Sequence, residues 1–204
     1  TTGNPDGQIK YSRPPTDSLE IITGSNGASG GVNIVFTSAS IRMYPATSTE
    51  SFKFFSSGIL DAPLNSLARA YVASDVVNGV GTSATKVPLD TESFDLQGEF
   101  DSATNYRFTA TVEGYYDVKG QVRGDLGAAD DTLIVSIYKN GSEYSTGSCT
   151  SGAGTSAVIT CFVNDVVQLD ASGYVEFYVQ TDAAAAKDIK GGSNNTFFIV
   201  EKSR

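Results

Sequence analysis

Histidine is absent from all 204 residues, and this bounds the chemistry open to the chain. Ser-His and Cys-His nucleophile pairs, the commonest general base near neutral pH, and most zinc and copper sites need an imidazole. Carboxylate-pair chemistry of the glycoside-hydrolase kind needs only two acids, yet among the 23 Asp and Glu residues no pair stands out. The expectation is a protein that is not an enzyme and holds no organic cofactor.

The residues that remain chemically suggestive are few. Cys149 and Cys161 flank a Gly/Ser/Thr-rich loop centred near Thr155. Facing each other across a hairpin, they would form a disulfide worth about 3 kcal/mol on the chain-entropy account; two buried thiols are the alternative. Arg123-Gly124-Asp125, followed by Leu126, is an integrin-type adhesion tripeptide at the end of an expected strand, with chance occurrence as the competing reading. Asn140-Gly-Ser142 and Asn194-Asn-Thr196 fit the N-glycosylation pattern, meaningful only in a eukaryotic secretory pathway. Asp130 and Asp131 offer hard oxygen ligands for calcium, against the plainer reading of two solvated carboxylates. The glycine-rich run 24–31 lacks the Lys-Ser/Thr and the helix pattern of a phosphate loop and reads as a turn.

The elements that must position these residues are strands. A composition of 40% hydrophobic residues with 21 glycines and 10% aromatics suits pleated strands joined by tight turns and is ample for a core. Val175, Phe177 and Val179 alternate with Glu176, Tyr178 and Gln180, which describes one buried and one wetter face. Leu133, Val135 and Ile137 do the same ahead of Asn140-Gly141, a strong hairpin signal. In the last run Phe197 and Ile199 point one way and Phe198 and Val200 the other, so both faces are apolar. One face can line the sandwich and the other meet neighbouring subunits, which makes these four residues the candidate trimer interface; a central strand under a covering loop is the alternative.

The chain divides, on this reading, into an extended linker over 1–17, a β-rich stalk or trimerising segment over 18–66, and a head over 67–204. The stalk holds short β-like runs at 18–23, 32–37, 41–44 and 51–55. Its segment Ser51-Phe-Lys-Phe-Phe-Ser-Ser-Gly58-Ile-Leu60 resembles the strand, Ser-Gly turn, strand units of viral fibre stalks. A formal charge of −9 disfavours nucleic acid and anionic membrane surfaces as partners. No apolar run approaches the roughly 20 residues of a membrane helix, and Thr1 opens no pattern that reads as a secretion signal.

From Leu67 onward the chain resembles the complement globular-head family of the tumour-necrosis-factor jelly-roll superfamily. The resemblance is carried by Ala68-Arg-Ala-Tyr-Val72, Lys86-Val-Pro-Leu-Asp90, Ser93-Phe-Asp95, Phe100-Asp101 and Tyr106-Arg-Phe108-Thr-Ala110. Gly114-Tyr-Tyr116 follows Phe108 at the family's spacing, and Lys139-Asn140-Gly141 looks like its hairpin; Ala171-Ser-Gly173 replaces its Gly-Asp turn, and Val118 stands where the family usually has an aromatic. The resemblance implies an all-β jelly-roll sandwich, a homotrimer and neighbouring first and last strands; some heads of the family hold calcium near the threefold axis, where Asp130 and Asp131 could supply oxygen ligands if they are not simply solvated.

Together these readings lead to the expectation of a viral fibre or spike protein, from a bacteriophage, at the virion surface. Its N-terminal end would contact other virion proteins and its trimeric head a host glycan or protein. A capsid decoration or head-fibre protein, and an extracellular complement-type adhesion or signalling domain, are the alternatives.

Overall fold

A computed structural model of the chain describes residues 40–43, 52–55, 60–61, 65–127, 131–152 and 158–203, the first three segments as backbone only. All belong to the unit Ser40–Arg204. The expected linker and the runs at 18–23, 32–37 and the glycine-rich turn lie outside the described residues. The runs at 41–44 and 51–55 correspond to strands β1 (Ser40–Met43) and β2 (Phe52–Phe55), which pair antiparallel, and β3 (Leu60–Asp61) adds to β2.

The remaining strands form two antiparallel sheets, and no helix occurs among the described residues. The seven-stranded sheet contains β4 (Leu67–Tyr71), β5 (Val76–Val80), β7 (Thr91–Asp95), β10 (Gly114–Asp125), β13 (Val158–Leu169), β15 (Lys187–Ile189) and β16 (Phe197–Lys202). The six-stranded sheet contains β6 (Thr85–Lys86), β8 (Phe100–Asp101), β9 (Arg107–Thr109), β11 (Thr132–Lys139), β12 (Ser142–Thr150) and β14 (Tyr174–Thr181). As expected, the first and last long strands are neighbours: β4 pairs with β16, with Leu67 opposite Glu201.

Period-two patterning explains the core. On β10, Tyr116, Val118 and Val122 are buried while Asp117, Lys119, Gln121 and Arg123 face outward. Leu133, Val135 and Ile137 of β11, with Val175, Phe177 and Val179 of β14, face them from the other sheet. Phe108 is fully buried with its ring 5.5 Å from that of Tyr116. The β11–β12 hairpin turns at Asn140 and Gly141, with φ of 50° and 80°, the left-handed pair that two-residue hairpins require. The stretch over Val166–Val179 carries the chain from one sheet to the other, since β13 pairs with β10 and β14 with β11.

The sheets are sewn together along one edge. Gly147 of β12 approaches β13 so closely that a Cβ there would lie 2.4 Å from the Phe162 carbonyl oxygen. Beside it Cys149 and Cys161 are joined in a disulfide, Cα atoms 5.6 Å apart. The two cysteines do not face each other across a hairpin: they sit on edge strands of different sheets.

One strand departs from simple alternation. Glu176, expected on the wetter face of β14, is only 5% exposed. Lys86 of β6, which pairs alongside β14, lies over that face and forms a salt bridge with its carboxylate. Nothing within β14 encodes this cover.

Candidate self-association and binding surfaces

The outer face of the seven-stranded sheet carries an unusual amount of apolar surface. Along β10 its outward residues are Tyr115, Asp117, Lys119, Gln121 and Arg123. Register places Phe162 and Phe197 on either side of Gln121, Asn164 and Ile199 on either side of Lys119, and Val166 and Glu201 on either side of Asp117. Phe162 is 67% exposed, Tyr115 58% and Val166 47%. A shallow groove of about 280 Å³ runs between Phe162, Phe197 and Ile199 over the β10 backbone. Exposed apolar groups gathered in one patch, rather than scattered, mark an interaction surface.

Of the four candidate interface residues, Phe197 and Ile199 open onto this face and are partly exposed. Phe198 and Val200 are 1% exposed, in the core. This corrects the expectation for that pair. Phe198 stacks on Phe177 of the facing sheet, ring centroids 5.3 Å apart, so neither side chain is available to a neighbouring subunit. Phe162, Val166 and Tyr115 escaped notice in the sequence. The signal was there for Phe162 and Val166, since apolar residues at 161–163 and 166–167 serve both faces of β13, as at 197–200.

The adhesion tripeptide is not in a loop. Arg123, Gly124 and Asp125 continue β10 and are paired on one side with Thr160, Ile159 and Val158 of β13. On the other side Gly124 and Asp125 pair with Ile189 and Asp188 of β15. Arg123 Nη1 donates to Asn195 Oδ1 at 3.1 Å and Lys190 Nζ lies 3.5 Å from the Asp125 carboxylate. Both charged side chains of the tripeptide are thus engaged within the chain.

Asp131 is likewise engaged, its carboxylate 2.8 Å from Lys187 Nζ, while Asp130 lies outside the described residues. Among the described residues no group of three or more acidic or cysteine ligands converges on a point. Asn140 of the first sequon accepts a hydrogen bond from the Tyr174 amide at 2.9 Å through its side-chain oxygen. In the second, Asn194 is exposed while Thr196 is buried, its hydroxyl donating to the Lys190 carbonyl at 2.8 Å.

The two ends of the sandwich differ. At the end where the head begins, Lys202 N donates to Ser66 O at 3.0 Å, and Tyr116 donates its phenol to Val112 O at 2.5 Å. Burial of Tyr116 pushes its pKa up. β10 then runs twelve residues, roughly 40 Å of strand, to the opposite end. There the described parts of segments 125–131, 151–156 and 183–195 meet: Ser151 N donates to Asp131 O at 2.9 Å, Thr132 N donates to Asp182 Oδ1 at 2.6 Å, and Lys187 pairs with Asp131. Those hydrogen bonds hold the Asp182 carboxyl below its usual range. Nearby, the Gly191 amide and Lys190 lower Asp75. The end is acidic, tied by Lys187 and Lys190, and shallow.

Comparison with known proteins bears on the fold. No protein-family model matches the chain, and no curated protein matches it. Solved structures do. Murine APRIL at pH 5.0 superposes with a TM-score of 0.52 at 13% identity, over 68% of this chain and 99% of that one. The globular domain of zebrafish complement 1qA gives 0.52 at 12% identity, over 69% and 98%. Eiger TNF from S. frugiperda gives 0.50 at 12% identity, over 69% and 93%. The fold is a jelly roll of the tumour-necrosis-factor and complement-head kind. At such identities the likeness speaks for architecture, and function has to be argued from this chain's own surfaces.

Proposed function

We propose that the chain is a non-enzymatic attachment protein whose jelly-roll head assembles as a homotrimer and binds a host-surface glycan or protein through its distal loops. The observation that carries the trimer is the apolar outer face around Phe162, Phe197 and Ile199, which needs a cover, and closed threefold packing supplies one without an open end. Heads of this fold are typically trimeric, which supports the reading.

The finer reading is the head of a viral fibre or spike at the virion surface, carried on a β-rich stalk over 18–66. It is supported by the stalk-like run 51–60 and by a chain that enters the head at the end opposite the acidic loop cluster. Binding there would rest on shallow polar contacts multiplied threefold rather than on a deep pocket. A second reading, an extracellular adhesion or signalling domain, is favoured by the Cys149–Cys161 bridge, because disulfides persist in oxidising surroundings.

Sedimentation of the full chain tests assembly: a mass three times the 21.4 kDa of one chain is expected, and a well-folded monomer refutes the trimer. Adsorption to host cells then tests attachment. Lys187→Glu, which breaks the distal ion pair with Asp131, should change adsorption while leaving the sedimentation of the trimer unaltered. If adsorption is unchanged by charge reversal among the distal loops, the loop assignment is wrong.

A further inference from the structure

The apolar outer face holds charges that its own chain leaves unsatisfied, and their arrangement says what should meet them. Lys119 stands at the centre of the patch, exposed, between Asn164 and Ile199. Among the described residues it has no hydrogen bond and no ion pair. This sets it apart from Lys86, Lys187 and Lys190, which are bound to Glu176, Asp131 and Asp75.

One row along the same face the opposite imbalance occurs. Asp117 and Glu201 sit directly across from each other in the β10–β16 register, and like charges so placed in an antiparallel pair oppose folding. Asp117 accepts one hydrogen bond, from Ser203 Oγ at 3.0 Å; Glu201 is exposed with no partner among the described residues. The other cations on this face are occupied, Arg69 by Ser93, Ser193 and the Phe197 ring and Arg123 by Asn195.

Covering this patch removes water from all three charges, which is unfavourable unless each acquires a partner of opposite sign. A second copy of the chain brings both signs at once. In a closed ring the contact is head-to-tail, so each subunit presents its cation to one neighbour and its anions to the other. We propose that in the trimer Lys119 of each subunit pairs with the Asp117 and Glu201 carboxylates of a neighbouring subunit, and that this contact sets the register of assembly. The inference rests on the trimer reading above.

Charge reversal in the full chain, followed by sedimentation equilibrium, tests it. Lys119→Glu alone, and Asp117→Lys with Glu201→Lys, should each weaken association roughly tenfold or more relative to the unaltered protein. The triple variant, with the signs exchanged, should recover most of that loss. Lys119→Met, which keeps the apolar stem and removes the charge, should weaken association less than Lys119→Glu, and it carries the test if a reversal variant fails to fold. Assembly of Lys119→Glu as tight as the original, or a triple variant no better than its parents, overturns the pairing while the trimer stands. A monomeric unaltered protein overturns the trimer and the pairing together.

Discussion

Phe177 of β14 and Phe198 of β16 stack with ring centroids 5.3 Å apart and planes 15° from parallel, one ring from each sheet. The stack fits because the strand beside Phe198 carries Gly120 opposite it. A Cβ at Gly120 would lie 2.5 Å from Phe177 Cε2 and 2.6 Å from Cζ. The atoms it meets belong to a ring locked in the core, so they cannot swing away. Gly120→Ala is expected to destabilise the head by about 1–3 kcal/mol through overpacking, read as a lower denaturant midpoint. An unchanged midpoint would mean that the ring stack is looser than described.

Phe108 and Glu176 test the inner and outer faces of the six-stranded sheet. Phe108→Ala should cost about 3–5 kcal/mol, because a fully buried ring against Tyr116 leaves a cavity. Glu176→Ala should also destabilise, by roughly 1–3 kcal/mol, since it strands Lys86 against the sheet. That Lys86 keeps some exposure holds the cost below that of a fully buried pair. Urea melts of both variants decide whether the cover over β14 exists in solution.

These two residues also show what could be read in the chain. The core side of β14 was legible because local alternation settles it, as was the β11–β12 hairpin from Asn140-Gly141, whose turn geometry only a few residue types adopt. Glu176 was misread because its burial comes from Lys86, ninety positions away. The end of the strand that carries the adhesion tripeptide falls after Asp125 for a related reason. Strand β10 runs on through Asp125 because β13 and β15 hydrogen-bond it there, and pairing across the sheet outweighs the local turn preference of Gly124. The two-faced character of 197–200 was evident, but which residues faced inward depended on Phe177.

Stability should hold between mildly acidic pH and about pH 10 and fall on both sides. Glu143 is lowered by hydrogen bonds from Thr146 and Ser136, Asp101 by the Thr104 amide and the Asn105 side chain. A depressed carboxylate pKa adds stability above the unfolded value near 4 that is lost as pH falls through the folded one. Tyr116, Tyr138 and Tyr178 are raised, first by burial. A raised phenol adds stability below its unfolded value near 10, lost as pH rises through the folded one. Thermal melts across pH would show this; a melting temperature that climbs steadily into acid contradicts it.

The Cys149–Cys161 bridge should appear as a mass about two daltons below that of the reduced chain. Full thiol labelling of the unreduced, denatured protein would exclude it. Because the bridge holds the edge strands of the two sheets together, reduction should lower stability by about 3 kcal/mol on the loop-entropy account. It should also loosen β13, on which Phe162 stands.

Phe197 and Phe198 are adjacent in sequence and face opposite ways, so the same truncation should have two different consequences. Phe198→Ala removes a ring from the core and should cost about 3–5 kcal/mol in a melt. Phe197→Ala removes a ring from the outer face, where only Arg69 lies over it. Its effect on the unfolding of the isolated subunit should be small, while sedimentation should show weaker association, because the groove wall shared with Phe162 is lost. Phe162→Ala should do the same from the other wall. Dilution separates the cases: the outer-face variants should reach the concentration-independent melting temperature of the monomer at a higher protein concentration than the unaltered protein does, since a monomer–trimer equilibrium links stability to concentration. If Phe197→Ala instead behaves like Phe198→Ala at every concentration, the outer face is not an interface and the apolar patch needs a different occupant.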